Sequence, residues 1–196
     1  MTMTKNEIEE KAEVESLGFW LYILSDLMLF ASLFATFMVL RHNTAGGPSG
    51  ADLIDPPYTL VQTVALLASS LTAALALSAR KHGLMRQLKL QLILTGLLGL
   101  VFLGLEINEF REILAEGYSW QTSGFLSGFF TLVGTHGLHI TIGLLWLGIL
   151  LWNLYRRGMS DALGRKLELF VVFWHFLDIV WIGIFTIVYM FGVGVS

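Results

Sequence analysis

Between Gly117 and Tyr155 the chain has no Asp, Glu, Lys or Arg. At a rise of ~1.5 Å per residue, about 20 apolar residues cross the ~30 Å hydrocarbon core of a bilayer, and this run is longer than that. Four other stretches are similarly depleted of charge. Leu17–Leu40 is interrupted only by Asp26, and Tyr58–Ala79 by nothing. A further one, at about Leu88–Phe110, carries Glu106 and Glu109 near its end, and the last, at about Leu167–Phe191, is broken only by Asp178. Within the uncharged run the span is expected at about 124–153. The period-2 alternation of a membrane β-barrel is missing. The chain therefore reads as an all-α, polytopic membrane bundle of five transmembrane helices. Residues 1–16 are expected to form a short acidic tail or surface helix, and 17–196 a single bundle domain. Only 14% of residues are charged, against about 25% in soluble domains, which agrees.

The connecting segments set the expected direction. One side of the membrane would hold Lys5 and Lys11, then Arg80, Lys81, Arg86 and Lys89, then Arg156, Arg157, Arg165 and Lys166. The opposite side would hold only Arg41 and Arg111. Positive residues stay on the cytoplasmic side, so the N-terminus is expected inside and the C-terminus in the periplasm. The start is acidic, with Glu7, Glu9, Glu10, Glu13 and Glu15, unlike the basic-then-apolar pattern of a secretory signal. Net charge is −3 with no basic block, which offers nucleic acid no electrostatic footing. Cys is absent, which removes disulfides, Cys-ligated zinc, iron–sulfur clusters and thiol chemistry.

All three prolines fall in Arg41–Pro57 with Gly46, Gly47 and Gly50, so this segment is expected to be an irregular outer loop. No internal repeat of the inverted-transporter kind is visible. Small residues recur at helical spacing: Ala31 and Ala35; Ser70, Ala74 and Ser78; Gly124 and Gly128. Such faces allow close helix approach in lipid, either within the chain or against another subunit.

Ionisable groups inside spans are costly, by ~2.5–3.5 kcal/mol on insertion scales, and so need partners or a purpose. The candidates are Asp26, Glu106, Glu109, His136, His139, His175 and Asp178. Counting ~1.5 Å per residue from each inner boundary puts Asp26 at roughly 14 Å, His175 at about 12 Å and Asp178 at about 16 Å. The same count puts His139 at about 21 Å, His136 at about 26 Å and Glu106 at roughly 27 Å. Two polar layers are expected: Asp26 with His175 and Asp178, and Glu106 with His136 and His139. His136/His139 and His175/Asp178 are each spaced i, i+3, on one helix face. Haem ligation between helices would want histidines at matching depth, which His139 and His175 are not. Metal binding by His136, His139 and Glu106 lacks an HExxH pattern or a Cys. Proton conduction through Asp26 or Glu106 is chemically possible, but buried hydrogen bonds that hold helices in register are the favoured reading. Trp20, Tyr22, Tyr118, Trp120, Trp152 and Tyr155 sit where interfacial aromatics belong, whereas Trp146 and Trp181 should pack between helices.

Four motifs go further, in this order: Ser25-Asp26-Leu27-Met28-Leu29-Phe30, Glu106-Ile107-Asn108-Glu109-Phe110, Gly134-Thr135-His136-Gly137-Leu138-His139, and Trp174-His175-Phe176-Leu177-Asp178-Ile179-Val180-Trp181. Together they resemble subunit III of the haem–copper terminal oxidases, over about residues 17–192. Mitochondrial-type members have seven spans, and the likeness here begins at their third. In this, and in the run Thr44-Ala45-Gly46-Gly47-Pro48-Ser49-Gly50, the chain is most similar to the subunits of cytochrome bo-type ubiquinol oxidases.

The resemblance implies a non-catalytic, multi-pass subunit of a bacterial inner-membrane, proton-pumping oxidase in aerobic respiration. Haems and copper would belong to subunit I, the main contact, with subunits II and IV also in the complex. This chain would carry no redox centre, would bind phospholipid, and would sustain subunit I stability and proton uptake. Asp26 occupies the position of a carbodiimide-reactive Glu in mitochondrial-type members. Glu106, Glu109, His136, His139, His175 and Asp178 match positions expected at helix interfaces or lipid contacts. A cytochrome c oxidase subunit III and an independent ion or solute carrier are the alternatives.

Overall fold

The computed structural model describes residues 5–47 and 55–190, and within them five helices are long and apolar enough to cross a membrane. We label them α1 (Lys5–Leu40), α2 (Pro56–Lys81), α3 (Met85–Ala115), α4 (Gly124–Arg157) and α5 (Asp161–Ile184), the last continuing as a π-helical segment over Phe185–Met190. The acidic stretch 5–16 is not a separate element: it forms the first turns of α1.

Local chemistry explains the ends. Pro56 and Pro57 are not in the outer loop, as expected from their clustering, but open α2. Proline fits there because the first helical N–H groups have no intrahelical acceptor to lose. Pro48, the remaining member of that expected loop, lies outside the described residues. Ser123 and Ser160 cap α4 and α5, accepting from the Leu126 and Leu163 N–H groups at 3.2 Å each. Gly83 and Gly158 turn the chain between antiparallel helices at φ +71°, where a side chain would be strained. Arg80 and Lys81 end α2, and Arg156 and Arg157 end α4, each pair favourably placed at the negative end of the helix dipole.

Packing centres on α5, the most enclosed span, while α1 is the least. Trp174 and Trp181 of α5 are fully buried. Trp174 lies in a slot formed by missing side chains: a Cβ at Gly99 would stand 2.9 Å from its ring, and one at Gly143 2.7 Å. Trp146 packs edge-on against Phe170 and close to Phe173, as expected for an internal tryptophan. Gly128 admits Phe37 of α1, whereas Ala31 and Ala35 face outward. Large apolar side chains such as Met28, Val39, Leu145 and Ile179 are exposed, as lipid-facing positions require. Trp20, Trp120, Trp152 and Tyr155 are exposed near helix ends, consistent with interfacial positions.

Candidate functional site

The polar side chains of the four motifs fall into three groups. The first joins α2, α3 and the π segment. Glu109 Oε2 accepts hydrogen bonds from Gln62 Nε2 and from the Tyr189 hydroxyl, both at 3.1 Å and all buried. Glu106, one turn earlier, lays its carboxyl on the α4 backbone, where a Cβ at Gly137 would stand 2.6 Å from Oε1. Only glycine leaves that space. Both Glu106 oxygens are enclosed without a hydrogen-bond partner among the described residues. The same holds for both nitrogens of His136, which stacks on Trp181 at 5.3 Å and meets the edge of Phe102 at 5.8 Å. Glu106 and His136 thus belong to neighbouring parts of the core, as the layer reading expects, but no hydrogen bond joins them.

The second group is a pair between α1 and α4. His139 Nε2 lies 3.4 Å from Asp26 Oδ2, both residues are buried, and Phe30 packs beside the imidazole at 5.2 Å. His139 Nδ1 is 2.7 Å from the Thr135 carbonyl oxygen, which can only accept, so Nδ1 carries hydrogen. The attraction between Nε2 and the carboxyl then requires one further proton held by the pair.

This corrects the expected layer. Asp26 meets His139 and not His175 or Asp178. The depth count placed Asp26 and His139 about 7 Å apart because it fixed their entry points by hydropathy and took every helix as upright. α1 begins at Lys5 and α4 runs on to Arg157, so hydropathy did not locate the boundaries to within a turn.

The third group lies on α5 toward α2. His175 is partly exposed, with Nδ1 2.7 Å from the Val171 carbonyl oxygen. Asp178 is buried and lies toward Ser70 and His175. Its Oδ1 and the Ser70 hydroxyl oxygen are enclosed without hydrogen-bond partners among the described residues.

Among those residues no three His, Asp or Glu side chains gather as metal ligands would. The histidines also do not fit a haem. His136 is sandwiched by aromatic rings, and His139 has one nitrogen on a backbone carbonyl and the other against Asp26.

Comparison with known proteins turns this geometry into a family assignment. Residues 8–193 match the family described as Cytochrome c oxidase subunit III. The chain belongs to that family. This subunit III is 51% identical over 175 residues to the cytochrome bo(3) ubiquinol oxidase subunit 3 of Pseudomonas aeruginosa, covering 89% of this chain and 84% of that protein. It is 42% identical to the quinol oxidase subunit 3 of Bacillus subtilis, covering 94% and 91%. It is 45% identical to the cytochrome c oxidase subunit 3 of Bacillus sp. strain PS3, covering 90% and 85%.

Several residues that build the core of this subunit III escaped sequence reasoning. Gln62, Thr63 and Ser69 of α2 carry no charge and so drew no attention. Thr63 accepts from the Trp181 indole and Ser69 from the Trp174 indole, each at 3.0 Å, and Ser69 donates to the Thr95 carbonyl at 2.9 Å. Their signal was available: Thr59, Gln62, Thr63, Ser69 and Ser70 recur on one helical face of an otherwise apolar span.

Proposed function

We propose that this subunit III serves a quinol-oxidising haem–copper oxidase in a bacterial inner membrane, as a partner that takes no electrons itself. The supporting observation is its 51% identity over most of its length to a ubiquinol oxidase subunit, against 45% to a cytochrome c oxidase subunit. In this reading the redox groups lie in subunit I, with subunits II and IV completing the complex, and bound phospholipid fills part of its lipid-facing surface. The buried acids and imidazoles then act as joints between helices. Glu109 ties α2 to the π segment, and Asp26 ties α1 to α4.

The test is copurification in mild detergent, with an optical spectrum and mass analysis of the accompanying chains. A haem-bearing partner and quinol-driven oxygen uptake are expected, and membranes lacking this chain should show impaired quinol oxidation. Impaired cytochrome c oxidation instead would transfer the chain to the other branch of the family. Solute or ion transport by the isolated chain, without any haem-bearing partner, would overturn the oxidase reading. In the assembled complex, Asp26→Ala should leave oxygen reduction largely intact. Its complete loss would show that Asp26 has a direct chemical role.

A further inference from the structure

Along α5 the outward stripe reads Val172, His175, Ile179 and Ile182, at spacings of three and four residues. Val172, Ile179 and Ile182 are exposed, Ile179 to 67%, and His175 lies among them partly exposed. Three members of the stripe suit lipid. An imidazole does not.

The tautomer sharpens the mismatch. With Nδ1 committed to the Val171 carbonyl, neutral His175 presents a bare acceptor at Nε2. Beside it, the enclosed Asp178 Oδ1 and Ser70 hydroxyl also have no hydrogen-bond partner among the described residues. The i, i+3 spacing of His175 and Asp178 puts both on one side of the helix. Depth decides between the two kinds of neighbour a membrane offers. Counting ~1.5 Å per residue from Leu167 puts His175 about 12 Å below the boundary, in the acyl chain region. Acyl chains carry no donor, and headgroups lie at the surface. A neighbouring helix can bring a hydroxyl, amide or indole to that depth, and such groups join helices within membranes.

We propose that this stripe of α5, centred on His175, is a docking surface for a transmembrane helix of another subunit, which donates a hydrogen bond to His175 Nε2. The inference rests on the oxidase-subunit reading and locates the contact within it.

Two measurements on the intact complex test it. In the first, a photoreactive benzophenone amino acid replaces Ile179 in the otherwise unaltered chain, and the complex is irradiated in native membranes before purification. The expected product joins this chain to a different chain of the oxidase, identified by mass. Adducts with lipid alone, or with a second copy of this chain, would overturn the proposal. The second compares His175→Leu with His175→Gln, whose amide oxygen can still accept. His175→Leu should lower retention of this chain in the purified complex several-fold at raised detergent, and His175→Gln should restore most of it. Wild-type retention by His175→Leu would also overturn it. If no haem-bearing chain copurifies even with the unaltered protein, the failure belongs to the oxidase reading. If the complex is intact and position 179 reaches only lipid, the docking surface alone fails.

Discussion

The two halves of the bundle are held by different means. α2, α3 and α5 are laced together by side-chain hydrogen bonds: Gln62 and Tyr189 to Glu109, Trp181 to Thr63, Trp174 to Ser69, and Tyr58 to the Leu105 carbonyl. α1 rests on α4 and α5 through aromatic packing, with Phe37 in the space over Gly128, Phe34 near Gly183, and the Asp26–His139 pair. In lipid the apolar effect gives helices little reason to associate, so polar links and close packing carry the contact. The laced half is therefore expected to be rigid and intolerant of change. The α1 half is expected to come away first when the protein is perturbed.

The largest effect should separate the two kinds of glycine seat. Gly143→Ala drives a methyl group to 2.7 Å from the buried Trp174 ring, which is also pressed by Gly99 from the α3 side. Overpacking of this kind costs about 1–3 kcal/mol, and a ring held by its own hydrogen bond to Ser69 has no easy retreat. Gly128→Ala places its Cβ 3.3 Å from the Phe37 ring edge on the less constrained α1, so the cost should be well below that. Reversible unfolding in mixed detergent–SDS micelles gives both values. Equal losses would show that α1 is as firmly held as α5.

The next comparison removes one acid from each half. Glu109→Leu strands two buried donors, Gln62 and Tyr189, and should cost about 2 kcal/mol, since each orphaned buried group carries a penalty of ~1–3 kcal/mol before relaxation. Asp26→Ala leaves His139 still bonded to the Thr135 carbonyl and should cost less, within the ~0.6–1.7 kcal/mol range of membrane hydrogen bonds. The same micelle titration orders them. A distance probe between α1 and α4 should widen only in Asp26→Ala.

Much of this contrast was hidden in the sequence for identifiable reasons. The spans were legible because charge is nearly excluded from hydrocarbon, and Ser123 and Ser160 stand where caps are needed. The partner of Asp26 was not legible: pairing depends on helix tilt and on which way each face is turned, and a count of residues supplies neither. Gln62 was missed because attention went to ionisable groups, although an amide inside a span needs partners as well. Gly99, Gly137 and Gly143 were missed because glycine is common in transmembrane helices. Its role appears only when the Trp174 ring and the Glu106 carboxyl are seen filling the space. The small-residue pattern was read evenly as internal or external, and the structure divides it, with Gly128 turned inward and Ala31 and Ala35 outward.

Within the laced half, a single link should be worth far less than the lattice. Trp181→Phe keeps most of the ring's bulk against Phe102 and Tyr189 but removes the bond to Thr63. The expected loss from the bond is near the ~0.6 kcal/mol average measured for hydrogen bonds between membrane helices. A loss several times larger, with packing preserved by the ring contacts, would mean the links are cooperative.

The smallest effect is expected where the lacing reaches water. Arg80 at the end of α2 forms an ion pair with Glu168 of α5 at 2.7 Å and also donates to the Gly164 carbonyl at 3.0 Å. Glu168 is half exposed, so Glu168→Gln should cost below ~1 kcal/mol and the difference should shrink further in high salt. Gly164→Ala should cost more than Glu168→Gln, because the guanidinium already occupies the place of a Cβ at Gly164 and must move. That ordering follows from contact and not from charge, so it should survive at high salt. If salt abolished the effect of Gly164→Ala as well, the α2–α5 link at this end would be electrostatic, and the rigid half would stop at the depth of Trp174.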